Sequence, residues 1–174
     1  MDTFSAIKSR YSCRDFSSKK ISKEQISALI QAANAAPAAS GNYNNHKLTI
    51  LQNERIISKI NRATEEEFPQ LSTNPTFGAP VLMVLSIKPN SNFPMIPYCN
   101  ISCAAENIMI AATDLGLASV FVMGIPMALQ KRTDLLNELH IDTDFVPAIS
   151  LLIGYAKNNQ VYTGKQNRLI VDEL

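Results

Sequence analysis

The chain of 174 residues has few of the groups that usually announce a chemistry. It holds two histidines and three cysteines, Cys13, Cys99 and Cys103. An odd cysteine count with no Cys-x-x-Cys pair argues against a disulfide framework and against a closed zinc site. Cys99 and Cys103 share an i, i+4 spacing, but nothing local brings His46 or His140 to them, so no metal is expected and the cysteines read as small buried hydrophobes. No Gly-x-Ser-x-Gly elbow accompanies the serines, which weakens a hydrolase reading. Nothing at the N-terminus reads as a signal peptide, so a reducing cytoplasm is the expected compartment.

Long hydrophobic runs are also missing. Ile108 to Ala112 and Ala148 to Ile153 fall far short of the roughly 20 residues that cross a bilayer, and no membrane partner is expected. A formal net charge of +1 and the lack of any long basic block leave no field for nucleic acid. Internal repeats and low-complexity segments are absent. What is present is a core: 46% of residues are apolar and 18% charged, enough for a single domain over 1–174 with spare apolar surface for a second copy, and a homodimer is expected.

The order of elements predicts an α+β fold with a mixed central β-sheet flanked by helices. A short helix spans Thr3 to Ser9. Ser22 and Gln25 form a capping box that opens a helix running to Ala36, where Pro37 stops it. Lys47 to Gln52 alternates as a strand, and Asn53 caps the helix that follows. Pro80 to Ile87, Ser119 to Met123 and Ala148 to Ile153 read as strands buried on both faces. Between the first two lies a helix over about Pro97 to Leu115, apolar almost all round and closed by Gly116. Gln130 to His140 reads as a further helix. Leu169-Ile170-Val171 is a short apolar strand isolated from its own core, available for exchange with a partner.

Four segments carry functional signals. Arg10, Ser12 and Arg14 alternate, so an extended backbone points two guanidiniums and a hydroxyl to one side, as a phosphate monoester would require. The same pattern fits a solvated basic edge. Ala36 to His46 is a long loop of small residues in which Ser40, Asn42 and Asn44 offer donors and acceptors to a flat polar ligand. Gly124 stands at the end of a buried strand, either as a plain turn residue or as a bare backbone N–H for a cofactor. Lys165 and Arg168 add two cations, which meet Arg10 if the fold returns that segment.

Taken together, Arg10-x-Ser12-x-Arg14, Ala36-Pro37 through Asn44, Ala79-Pro80, Ala111-Ala112-Thr113-Asp114-Leu115-Gly116-Leu117, Ile153-Gly154-Tyr155 and Lys165 with Arg168 resemble the FMN-dependent nitroreductases, in order and over nearly the whole chain. The resemblance implies an interlocked homodimer with two FMN sites at its interface. In it Arg10, Ser12, Lys165 and Arg168 hold the phosphate and ribityl end, Tyr11 is a further cofactor-binding residue, and Arg14 faces the pyrimidine edge. Pro37, Ala38, Ala39, Ser40 and Asn42 come from the other subunit, Asn44 takes the position of a usual Gln, and the Gly124 backbone approaches flavin N5. It implies NADH or NADPH as reductant and a small flat acceptor, a nitroaromatic or quinone, in a ping-pong cycle. Tyr43, His46, Phe68 and Phe77 are candidates to line the acceptor face. Asn45-His46 stands where Pro-Trp is usual, and the segment between Asn61 and Phe77 is short. Both departures also fit a rival reading, a flavin- or nucleotide-binding homodimer that has lost turnover.

Overall fold

The computed structural model describes residues 1–70, 74–158 and 169–173; Lys165 and Arg168 lie outside them. Six helices and four strands alternate along these residues. Helix α1 (Thr3–Ser9) is followed by α2 (Lys23–Asn34), β1 (His46–Leu51), α3 (Glu54–Glu67) and β2 (Val81–Ile87). Then come α4 (Met95–Asp114), β3 (Ala118–Val122), α5 (Gly124–Leu129), α6 (Thr133–Glu138) and β4 (Val146–Gly154).

The sheet order is β1-β2-β4-β3, and every pairing is antiparallel. Among the described residues a parallel contribution survives only as the single bridge between Ser12 and Ser119. The expectation of a mixed sheet came from the order of helices and strands, and the unbroken apolar runs of β2 and β4 were compatible with it. Those runs report cover on both faces, and an antiparallel pair at the centre of a three-layer stack meets that condition as well as a parallel one.

Alternation along β2 sorts its side chains into two cores. Val81, Met83, Leu85 and Ile87 pack with Leu29 of α2 and Ile101, Ala105 and Ile108 of α4. Leu82 and Val84 face the other way, onto Ile57 and Ile60 of α3 and Ile125 and Leu129 of α5. The capping box of α2 is present: Ser22 accepts from the Gln25 N–H at 3.2 Å and Gln25 accepts from the Ser22 N–H at 3.0 Å.

Two expectations are corrected. The helix read over 130–140 is shorter, α6 alone over Thr133–Glu138, because the backbone leaves helical values at Arg132 (φ −125°, ψ 78°), and a separate short helix, α5, precedes it, opened by Gly124, for which a turn is one of the readings. Pro126 is tolerated there because it lies in the first turn, where its missing N–H would have had no intrahelical partner. Cys99 and Cys103 are exposed while Cys13 is buried. They lie on the side of α4 that this chain leaves open, along with Met95 and Tyr98. Leu169, Ile170 and Val171 form no strand within the chain and are 81%, 98% and 71% exposed. No helix among the described residues is long and apolar enough to cross a membrane.

Candidate functional site

The segment after α1 is laced onto the edge of the sheet. The Cys13 N–H donates to the Ser119 carbonyl at 3.0 Å, the Phe16 N–H to Phe77, the Ser17 N–H to Tyr155 at 2.8 Å, and the Lys157 N–H to Asp15 at 3.1 Å. Cys13 and Phe16 are buried in this segment, while Ser12, Arg14 and Asp15 are exposed.

Arg14 stands where two cavities meet. One, of about 330 Å³, is polar and lined by Tyr11, Ser12, Cys13, Arg14, Asp15, Ala156 and Asn158. Burial raises the Tyr11 phenol above its ordinary value, and Cys13 adds in the same direction, so its hydroxyl stays neutral. The second, of about 260 Å³, is an apolar slot lined by Arg14, Thr64, Phe68, Pro75, Phe77 and the run from Val120 to Gly124. It lies on the α3 and α5 side of the sheet.

A strained turn helps build the slot. Phe77 has φ 50° and is followed by Gly78 at φ 73°; a bulky side chain rarely adopts the left-handed region unless its surroundings impose it. Asn61 supplies the constraint, its Oδ1 accepting from the Thr76 N–H at 3.0 Å and the Thr76 hydroxyl at 2.9 Å. Gly124, at the first position of α5, has an N–H without an intrahelical partner. Beneath the segment, the buried Ser119 Oγ has no hydrogen-bond partner among the described residues.

Arg10 does not join Ser12 and Arg14 in either cavity within one chain. It closes α1, and its Nε pairs with Glu106 Oε1 on α4 at 3.3 Å. The loop from Ala36 to His46 is likewise elsewhere. Two 3-10 turns, Ala39–Gly41 and Tyr43–Asn45, shape it, with Ser40 at φ 60° and Gly41 at φ 64°. The Ala39 N–H donates to Asn100 Oδ1 at 3.0 Å, fixing the loop to α4. Pro37, Ala38, Tyr43 and His46 line a third cavity of about 230 Å³, which none of Arg14, Phe68, Phe77 or Gly124 reaches. Ser40, Asn42 and Asn44 are exposed. The structure thus brings Arg14, Phe68, Phe77 and Gly124 together, and keeps Tyr43 and His46 apart from them within one chain.

Thr64, Pro75, Phe121, Met123 and Asn158 were not foreseen as lining residues. The run from Ser119 to Met123 reads as a strand buried throughout, whereas Phe121 and Met123 are 37% and 46% exposed.

Burial lowers the His46 pKa, with the Tyr43 backbone opposing more weakly. The unfolded chain therefore binds a proton there before the folded one does, and stability falls as pH drops below the ordinary histidine value of about 6.5 toward the lower folded value. Lowered carboxylates such as Asp134, at about 2, act only at more acid pH. Urea melts of the protein and of His46→Phe should diverge as the pH falls below about 6.5; parallel curves would show that His46 titrates alike in both states.

Comparison with known proteins places this geometry. A protein of Archaeoglobus fulgidus provisionally named NADH dehydrogenase/NAD(P)H nitroreductase is 29% identical over 171 residues, covering 97% of this chain and 93% of its own. A nitroreductase with bound FMN from Desulfitobacterium hafniense superposes with a TM-score of 0.84 at 21% identity, over 99% of this chain and 100% of that one. One from Bacteroides fragilis, also with bound FMN, gives 0.85 at 20% identity and the same coverage; both share the fold. The model of the Nitroreductase family matches residues 7–155, nearly everything from α1 to the end of β4, and the chain belongs to that family.

Proposed function

We propose that the chain is an FMN-dependent oxidoreductase that takes reducing equivalents from NADH or NADPH and passes them to a small flat acceptor such as a nitroaromatic or quinone. The observation that carries this reading is the position of Arg14 at the junction of a polar cavity and an aromatic slot. A ligand with a flat ring at one end and a polar phosphate tail at the other fits that pair of spaces. The donor set suits it: one guanidinium and the Ser12 and Tyr11 hydroxyls. Asp15, the carboxylate in the lining, is balanced by Lys157 at 3.7 Å. The name of the Archaeoglobus fulgidus relative and the FMN in two structural neighbours support the same reading.

When bound, FMN supplies the two-electron carrier between a nicotinamide and the acceptor. The chain's own groups bind and orient. Arg14 would place positive charge at the pyrimidine edge, where it favours the anionic reduced form, and Ser12 and Tyr11 would hold the tail with Arg10, Lys165 and Arg168. Phe68, Phe77 and Phe121 exclude water from the slot, and Gly124, with no side chain, permits close approach of a ring. One slot implies that reductant and acceptor occupy it in turn.

The proposal includes a homodimer in which Pro37, Ala38, Ala39, Ser40, Asn42 and Asn44 complete the site of the other copy. Phe4 at 74% exposure and Met95 at 68% are apolar surface of the kind a second copy covers. The discriminating experiment is anaerobic mixing of the FMN-loaded protein with NADH or NADPH. Immediate loss of the flavin's visible colour is expected; lasting colour with both nucleotides would favour the rival reading, a binding protein without turnover.

A further inference from the structure

Asn61 lines neither cavity of the Arg14 site, yet hydrogen bonds connect it to both. It lies on α3 with Thr64 and Phe68 three and seven residues further on, which is one face of a helix. Thr64 and Phe68 line the slot directly. Asn61 acts at a distance: its Oδ1 accepts from the Thr76 N–H at 3.0 Å and from the Thr76 hydroxyl at 2.9 Å. A backbone N–H can only donate, so the amide oxygen has to face Thr76, and the amide nitrogen donates to Glu65 Oε1 at 2.8 Å. Thr76 is 5% exposed, so water does not stand in for this acceptor. The next residue, Phe77, has φ 50° and lines the slot. Its carbonyl accepts from the Phe16 N–H at 3.2 Å, two residues beyond Arg14.

We propose that Asn61 is a positioning residue of the flavin site: through Thr76 it holds Phe77 in the left-handed region, which sets one wall of the slot and, through the Phe77 carbonyl, the place of the segment that carries Arg14. The inference rests on the flavin reading of that site. A phenylalanine keeps a left-handed backbone only where its surroundings impose it, and the Thr76 N–H is the point at which α3 does so. Removing Oδ1 leaves that buried N–H without an acceptor, so the turn gains by rearranging until the N–H finds another. Rearrangement moves the Phe77 carbonyl away from the Phe16 N–H. The slot wall and the guanidinium then loosen together, although Asn61 touches no ligand.

The test compares the parent with Asn61→Leu, which keeps the size and removes the acceptor, and with Asn61→Asp combined with Glu65→Gln, which keeps the acceptor and avoids two carboxylates one turn apart. Amide hydrogen exchange without FMN and fluorescence titration with FMN are the two readouts. In Asn61→Leu the Phe16 amide is expected to exchange about tenfold faster and FMN to bind about tenfold more weakly. The Cys13 amide, bonded to the Ser119 carbonyl at 3.0 Å, should keep its parent rate, whereas a loss of global stability alone would speed both amides alike. The double variant should return both readouts to within about twofold of the parent. Where Asn61→Leu fails to fold, Thr76→Val decides in its place, since it removes the hydroxyl and keeps the N–H; about threefold changes in the same direction are expected. Parent behaviour in the variant that is read, equal acceleration at Cys13 and Phe16, or no recovery in the double variant would overturn the proposal. A parent protein that takes up no FMN would overturn the flavin reading itself, and the role of Asn61 with it.

Discussion

Replacing Arg14 with alanine is expected to weaken FMN retention by about a hundredfold while leaving the melting temperature within a degree or two of the parent. A hydrogen bond to a charged group that becomes unsatisfied on removal is worth about 1.5–3 kcal/mol, or roughly ten- to 150-fold in affinity. Arg14 contributes to both cavities, so its loss acts on the ring end and the tail end together. The guanidinium is exposed, and its removal opens no core, which is why stability should hold. Arg10→Ala makes the contrast. Arg10 is committed to Glu106, and its removal should weaken FMN several times less than that of Arg14. Fluorescence titration with FMN measures both. Equal losses would place the two arginines on one phosphate, as their alternation in sequence suggests, and would return Arg10 to the centre of the site.

A second large effect is expected at Gly154, the last residue of β4. It pairs with Ala118 at the end of the ladder. A Cβ there would lie 2.7 Å from Pro80 Cδ and 2.9 Å from Phe16 Cδ1, distances that force the ring atoms to move. Overpacking of this kind costs about 1–3 kcal/mol, so Gly154→Ala should lower the melting temperature by about 3–10 °C. Phe16 is two residues from Arg14 and is bridged to Ala156, so the displacement reaches the polar cavity and FMN affinity should fall as well. Gly116→Ala isolates the other way a glycine can matter. Nothing lies within 4 Å of its added Cβ and the backbone has φ 71°, so the penalty is conformational strain of about 1 kcal/mol with no change in FMN affinity. A Gly154→Ala protein that melts like the parent would show that this corner is looser than its contacts indicate.

The local elements were legible where one short-range signal decides them. Ser22 and Gln25 announce α2, Asn53 announces α3 by accepting from the Arg55 and Ile56 N–H groups, and the apolar run of β2 is buried at every position. Strand direction was not legible, because a run such as Val81 to Ile87 records how many faces are covered and carries no mark of its neighbours' polarity. The break at Arg132 was hidden by a helical pattern that continues across it, a backbone choice that nothing in residues 130–140 compels.

The site divides in the same way. Arg14 with Ser12 and Gly124 could be singled out from alternation and from the end of a strand. Their meeting with Phe68 and Phe77 depends on the turn that Asn61 imposes on Thr76, a contact across 15 residues that no local pattern encodes. Alternation fixes only the side on which Arg10 points; within one chain its partner is Glu106, 96 positions along the chain, which no local pattern marks. His46 could be marked as a departure from its relatives, but the cavity that it borders is formed by α2, β1 and α4 together and belongs to no single segment.

The account stands on a flavin held at Arg14, and equilibrating the purified protein with excess FMN, desalting it and recording its visible spectrum tests that most directly. The prediction is retained yellow colour at about one FMN per chain in the parent and its near-complete loss in Arg14→Ala. A parent protein that leaves the column colourless, or an Arg14→Ala protein that leaves it equally yellow, would contradict the assignment.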